Sequence, residues 1–202
     1  MVSTIVSTTI LYWTTAIDLL LILLTLFAMY PRKTEHRQIL IGQVIGSTIL
    51  VTVPMLFAFV FKCIPADWVL GFFGFVPIAF GIRYLFAACE ADENALKIAR
   101  EREDKSLVLT MMIIALSSCL PDNIGLFTPY MATLSAGRLA VALATFMINI
   151  LLLAFISQRL AKIPKIGEVF ERFGRWITAF VYIVLGVLVI VEAGTIPHIL
   201  NL

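Results

Sequence analysis

The chain has 202 residues, of which 61% are hydrophobic and 14% charged, and its net charge is +2. That composition lies far outside the range of a water-soluble domain and marks an integral membrane protein. The near-neutral balance gives no footing for nucleic acid. The three cysteines (Cys63, Cys89, Cys119) contain no C-x-x-C pair, which argues against a disulfide framework and against a dithiol redox enzyme.

About 20 apolar residues are needed to cross the hydrocarbon core as a helix. Six stretches meet that requirement, over roughly 5–30, 39–61, 68–88, 107–134, 139–157 and 176–193. The first has no basic flank and no small-residue cleavage site, and it is too long for a signal peptide, so it reads as a mature span. It carries Asp18 among Ile, Leu and Thr, with Thr14 one helical turn earlier and Thr15 three residues earlier. These positions share a helix face. Carboxylate and hydroxyl oxygens together form a hard-donor set for a cation, although a membrane Thr often bonds back to its own helix instead. The second span is free of charge and holds Gln43 within Gly42-Gln43-Val44-Ile45-Gly46, where two glycines permit close helix approach.

The segment from about Cys89 to Lys105 is the one long polar connection, of mixed sign, and pairs such as Glu93 with Lys97 suit a short surface helix. The fourth span holds Leu120-Pro121-Asp122-Asn123-Ile124-Gly125. Pro121 has no N–H, so the Ser117 carbonyl loses its partner four residues on, and Pro129 does the same to Gly125. A helix broken there exposes carbonyl oxygens beside Asp122, and unwound backbone lining a cavity is where transporters hold ions. Asn123 adds an amide oxygen. Cys119 adds a sulfur that favours a soft ion, against the simpler reading of a free cysteine as apolar filler. Asn149 in the fifth span is explained by inter-helix hydrogen bonding. Neither His36 nor His198 lies at membrane depth.

The basic residues alternate between connections. The first, third and fifth connections hold 13 of the 15, and the second and fourth hold only Lys62 and Arg138. The positive-inside rule then places the odd connections in the cytoplasm and both termini outside. The expected fold is an all-α integral membrane protein of six transmembrane helices, arranged as two inverted three-helix repeats. Residues 1–88 form the first repeat, 89–105 a cytoplasmic linker and 106–202 the second repeat. An odd number of spans per unit turns the second copy upside down, and such repeats place a binding site at the midplane. Each half has an acid in its first span, and Ile64-Pro65 and Ile163-Pro164 precede the third span of each. Of the 13 carboxylates, only Asp18 and Asp122 stand at membrane depth. An ionisable group there costs several kcal/mol unless a cavity, partner charge or bound ion compensates it, so the pair marks a cation site.

These motifs resemble the cadmium-resistance transporter (CadD-like) family of the lysine-exporter superfamily. The residues that carry the likeness are Thr15-Ala16-Ile17-Asp18, Gly42-Gln43-Val44-Ile45-Gly46, Ile64-Pro65-Ala66-Asp67-Trp68, Gly71 to Ile78, Gly81-Ile82-Arg83, Asp122-Asn123-Ile124-Gly125 with Pro129-Tyr130, Ile163-Pro164 and the tail from Gly186 to Ile196. The resemblance implies a multi-pass protein of the bacterial plasma (inner) membrane that exports divalent cations. Relatives usually read Gly-Gly-Asp-Asn where this chain has Leu120-Pro121 before Asp122, which stiffens the break and leaves the acid and amide in place.

Export of a divalent cation against an inside-negative potential costs roughly 4.6 kcal/mol per 100 mV, at about 2.3 kcal/mol per charge. The sequence has no Walker A motif, so proton exchange is the economical coupling. The expected site comprises Asp18, Asp122, Asn123, Thr14, Thr15, Ser117, Cys119 and Gln43. Its transported ion is cadmium, zinc, manganese or magnesium, with protons as counter-ion, the lipid bilayer as surroundings and no resident cofactor. Glycine-lined helices also suit a homodimer. The rival reading is an exporter of amino acids or another small cationic solute, whose ammonium group the same acids would hold. An intramembrane enzyme is disfavoured, because no Ser–His or metal-ligand constellation lies at depth.

Overall fold

The computed structural model describes residues 1–61, 75, 78–79, 81–82, 90–102, 106–163, 179–180, 183–184 and 187. Over these residues the structure is helical. The helices are α1 (Val2–Met29), α2 (Lys33–Phe61), α3 (Glu90–Glu101), α4 (Leu107–Thr133) and α5 (Ala136–Leu160). Four of them, α1, α2, α4 and α5, are long and apolar enough to cross a membrane. The expected spans over 68–88 and 176–193 lie mostly outside the described residues. The described positions within them (Phe75, Ile78, Ala79, Gly81 and Ile82; Ala179, Phe180, Ile183, Val184 and Val187) are helical.

Local chemistry sets the helix ends. Tyr30, the residue before Pro31, closes α1 outside the helical region, and its N–H returns to the Leu26 carbonyl at 2.9 Å. The next helix starts at once. The Glu35 carboxylate accepts the Arg32 N–H at 3.0 Å, the reach-back half of a capping box at a helix start that favours negative charge. The His36 ring packs on Phe27 with centroids 4.7 Å apart, which fastens this corner. Only Leu134 and Ser135 separate α4 from α5.

The helix directions follow from the contacts. The outset of α1 meets the end of α4: the hydroxyls of Thr8 and Tyr130 share a hydrogen bond of 2.7 Å, and Tyr130 Oη donates to the Thr4 carbonyl at 3.3 Å. These two helices are therefore antiparallel. In contrast, α2 and α4 run parallel, because Gly42 faces Val108 and Met111, and Gly46 faces Met112 and Ala115. Among the described helices their seam is the most extensive, and the seam of α1 with α5 comes next. A Cβ added to Gly42 would stand 2.5 Å from the Val108 carbonyl oxygen, so the backbone approach depends on the missing side chain. Gly81 lies equally tight against Ala179 and Ile183, which joins the third and sixth apolar stretches at that point.

The innermost helix is α1. Of its most apolar stretch 72% is buried inside the bundle, against 33% to 44% for the other three long helices. Such a helix is hydrophobic on every side, with Ile22 and Leu23 fully enclosed. Aromatic rings link three helices around it: Phe127 of α4 lies 4.8 Å from Phe146 of α5, and Tyr12 of α1 lies 6.2 Å from Phe146. The polar connection contains α3, as the charge pairs predict. It is more than a solvated linker, however. Ala95 and Ala99, four residues apart on one face, are buried, and the helix packs on α1 and α4 while Lys97, Arg100 and Glu101 stay exposed.

Candidate functional site

The sequence predicts unwound backbone around Asp122. Instead α4 continues from Leu107 to Thr133 with Pro121 and Pro129 inside it. A membrane helix tolerates proline where packing against neighbours compensates the lost bonds, and α4 packs on α1, α2 and α3. The break is therefore confined to the missing N–H groups themselves.

Asp18 lies 16 positions after Val2 and 11 before Met29. Asp122 lies 15 after Leu107 and 11 before Thr133. At a rise of about 1.5 Å per residue, both stand roughly 16 Å from the nearer helix end, which is midway through a hydrocarbon core of about 30 Å. Both are half-buried.

Between α1, α2 and α4 lies a small hollow lined by Tyr12, Thr15, Ala16 and Leu19 of α1, by Ser47, Leu50 and Val51 of α2, and by Cys119, Asn123 and Phe127 of α4. About 10 Å³ within it is open to the centre of a water-sized body, room for about one water molecule. Asp18 directly precedes one lining residue, Leu19, and follows another, Thr15, by three. Asp122 stands in the same relation to Asn123 and Cys119. At about 100° per residue, each carboxylate thus falls roughly 60° to 100° round its helix from the hollow. The two acids flank the cavity at its own level, from antiparallel helices, and do not line it.

The predicted donors divide accordingly. Thr15, Cys119 and Asn123 reach the hollow. Thr14 is buried beside it and donates to the Ile10 carbonyl at 2.7 Å, while Thr15 donates to Tyr12 at 3.0 Å. Both hydroxyls therefore bond back to their own helix, and their lone pairs stay available as acceptors. Gln43 is fully buried one turn from the hollow, and its Nε2 donates to Ser47 Oγ at 3.2 Å. Ser117 is not brought in: it is exposed, and its Oγ donates to the Ile114 carbonyl. Asn149 is held by Trp13 Nε1 at 2.9 Å and donates to the Thr145 carbonyl at 2.9 Å, so it ties α5 to α1 as the sequence predicts.

Sequence reasoning missed Tyr12 and Ser47. Ser47 is one turn after Gln43 and Tyr12 three residues before Thr15, so helical spacing from the chosen polar residues would have found both. The Tyr12 hydroxyl faces Ser47 and Cys119 without a well-formed hydrogen bond. Asn123 Oδ1 and Gln43 Oε1 are also buried with no hydrogen-bond partner among the described residues. Buried polar atoms without partners are uncommon, because each forfeits about 1–3 kcal/mol of solvation. Among the described residues no three His, Cys, Asp or Glu side chains converge, so a cation there would depend on the two acids together with neutral donors.

Long apolar helices that carry two carboxylates at mid-depth mark an integral membrane protein. The family model described as cadmium resistance transporter matches residues 12–202, and the chain belongs to that family. Comparison with curated proteins and with solved structures gives no match.

Proposed function

We propose that the protein exports a divalent metal cation from bacterial cytoplasm by exchange with protons, with Asp18 and Asp122 supplying the negative charge. The observation that carries this reading is the hollow between α1, α2 and α4, which the two mid-depth carboxylates flank and which the Tyr12 hydroxyl and the Asn123 amide oxygen, both buried without a well-formed hydrogen bond, border. Ionised, the pair compensates a doubly charged guest. Protonated, it loses its hold and the ion departs, so protons moving inward drive the ion outward.

The arrangement of helices supports two inverted repeats. If α1 corresponds to α4 and α2 to α5, the seam of α2 with α4 corresponds to that of α5 with α1. These are the two most extensive seams among the described helices. The third and sixth stretches then meet each other, as Gly81 and Ala179 do. Such symmetry puts the site midway, where each half offers the same face.

Reconstitution in proteoliposomes loaded with a metal-sensing dye tests the proposal. We expect Cd²⁺ transport driven by a proton gradient, lost on adding a protonophore and abolished by either Asp18→Asn or Asp122→Asn. Transport at the wild-type rate in both variants would discard the two-carboxylate site. Competition by amino acids, with indifference to metals, would move the substrate to the small cationic solutes.

A further inference from the structure

The first turns of α1 turn their hydroxyls inward and their aliphatic side chains outward. Among residues 1–10 only Thr4 and Thr8 are buried. Ile5, Val6 and Ile10 are 44%, 51% and 50% exposed on the outside of the bundle. Thr4, Thr8, Tyr12 and Thr15 follow one another at helical steps and share one face of α1. The last two line the hollow, so this stripe leads from the hollow to the start of the helix. On α4 the facing stripe is Cys119, Asn123 and Phe127, which also line the hollow, and then Tyr130. Tyr130 Oη donates to the Thr4 carbonyl at 3.3 Å, which commits its single proton, so Thr8 Oγ1 donates to Tyr130 Oη at 2.7 Å. This clasp stands one turn beyond Tyr12, about 6 Å along α1 at a rise of about 1.5 Å per residue. The seam of α1 with α4 that it bridges is much slighter than those of α2 with α4 and of α1 with α5.

We propose that this stripe is the exit path from the hollow and that the Thr8–Tyr130 clasp is its outer gate, closed in this structure. Polar side chains inside a membrane bundle face one another or a water-filled passage. Threonine also serves as plain glue between membrane helices, and the slightness of this seam decides against glue alone. Parting it breaks two hydrogen bonds and disturbs no buried apolar side chain among residues 1–10, while the two extensive seams stay shut. Trp13 Nε1 holds α1 to Asn149 of α5 further in, so the turns before it swing as a unit about that anchor. The hydroxyls released by the movement line the opening, where a departing cation exchanges protein oxygens for water. The alternation of basic residues assigns the start of α1 to the outer face. The gate rests on the transport reading proposed above, but its test reads access and not transport, so either fails without the other.

The test treats intact cells that express the full chain with a charged, membrane-impermeant methanethiosulfonate. Mass spectrometry follows modification of Cys119, which lies on the inner side of the clasp. The rate should rise about tenfold over wild type in Tyr130→Phe and in Thr8→Val. Trp13→Phe cuts a bond of α1 to α5 instead and should leave the rate unchanged. In inverted vesicles, where the reagent meets the cytoplasmic face, Tyr130→Phe should match wild type. No acceleration in Tyr130→Phe and Thr8→Val overturns the gate. Equal acceleration in Trp13→Phe overturns it too, since general loosening then explains the access. Acceleration in inverted vesicles alone overturns the outer exit. A second measurement compares Thr8→Cys with Ile10→Cys, at one depth on opposite faces of α1. The first should react with the reagent and the second stay inert, because a thiol against lipid does not ionise; equal reactivity overturns the aqueous stripe. Wild type that moves no Cd²⁺ in proteoliposomes while Cys119 responds as expected discards metal export and leaves the gate standing.

Discussion

Gly42→Ala tests the seam that holds the hollow together. The new methyl would lie 2.5 Å from the Val108 carbonyl oxygen and 2.8 Å from Met111 Cβ. Neither neighbour can swing aside, since one is backbone and the other the first side-chain carbon. Carbon atoms rest about 3.5–4.0 Å apart, so α2 must withdraw from α4 by roughly 1 Å. Overpacking of this kind costs about 1–3 kcal/mol. The better helix propensity of alanine returns at most about 1 kcal/mol, which leaves a net loss of about 1–2 kcal/mol. At Gly46 the same methyl meets Ala115 Cβ at 3.1 Å, where a shift of a few tenths of an ångström suffices, so Gly46→Ala should be close to neutral. Gly137 faces nothing within 4 Å among the described residues, and Gly137→Ala should stabilise by about 0.5–1 kcal/mol. Unfolding in detergent micelles therefore ranks Gly137→Ala above Gly46→Ala and Gly46→Ala above Gly42→Ala. Transport should fall for Gly42→Ala alone, because Ser47 and Leu50 retreat from Cys119 and Asn123. Gly42→Ala melting at or above Gly137→Ala would refute the close parallel seam.

Two polar ties between helices carry further expectations. Trp13→Phe removes the indole donor to Asn149 Oδ1; inter-helix hydrogen bonds in membranes average about 0.6 kcal/mol and reach about 1.7, so a loss within that range in denaturant titration is expected. Tyr130→Phe deletes both the bond to Thr8 and the bond to the Thr4 carbonyl. It should loosen the first turns of α1, seen as faster amide exchange there at unchanged protection in α5.

Much of the architecture was legible in the chain. The first span was expected over 5–30 and is Val2–Met29; the fourth was expected over 107–134 and is Leu107–Thr133. Length and hydropathy are properties of one segment, so no tertiary information is needed to read them. The Gly42/Gly46 pair likewise announced a close approach, because absent side chains leave few other uses in a membrane helix. Asp18 and Asp122 stood out for the same reason: a charge in an apolar run is costly wherever the run goes.

The site was legible only in part. The proline reading failed because a missing N–H removes a bond without dictating that the helix unwinds, and packing against α1, α2 and α3 decides which follows. Ser117 was chosen for its nearness to Asp122 in sequence, yet helical rotation carries it to the outside. The Ala95 and Ala99 face of α3 gave little signal because alanine serves in solvent and in contact alike. Composition and span lengths determined that this chain lives in the bilayer. Which faces meet around the hollow, and that Tyr12 and Ser47 belong there while the carboxylates stand beside it, was decided by contacts between segments up to about a hundred residues apart, since rotation about each helix axis is set by its neighbours and not by the helix itself.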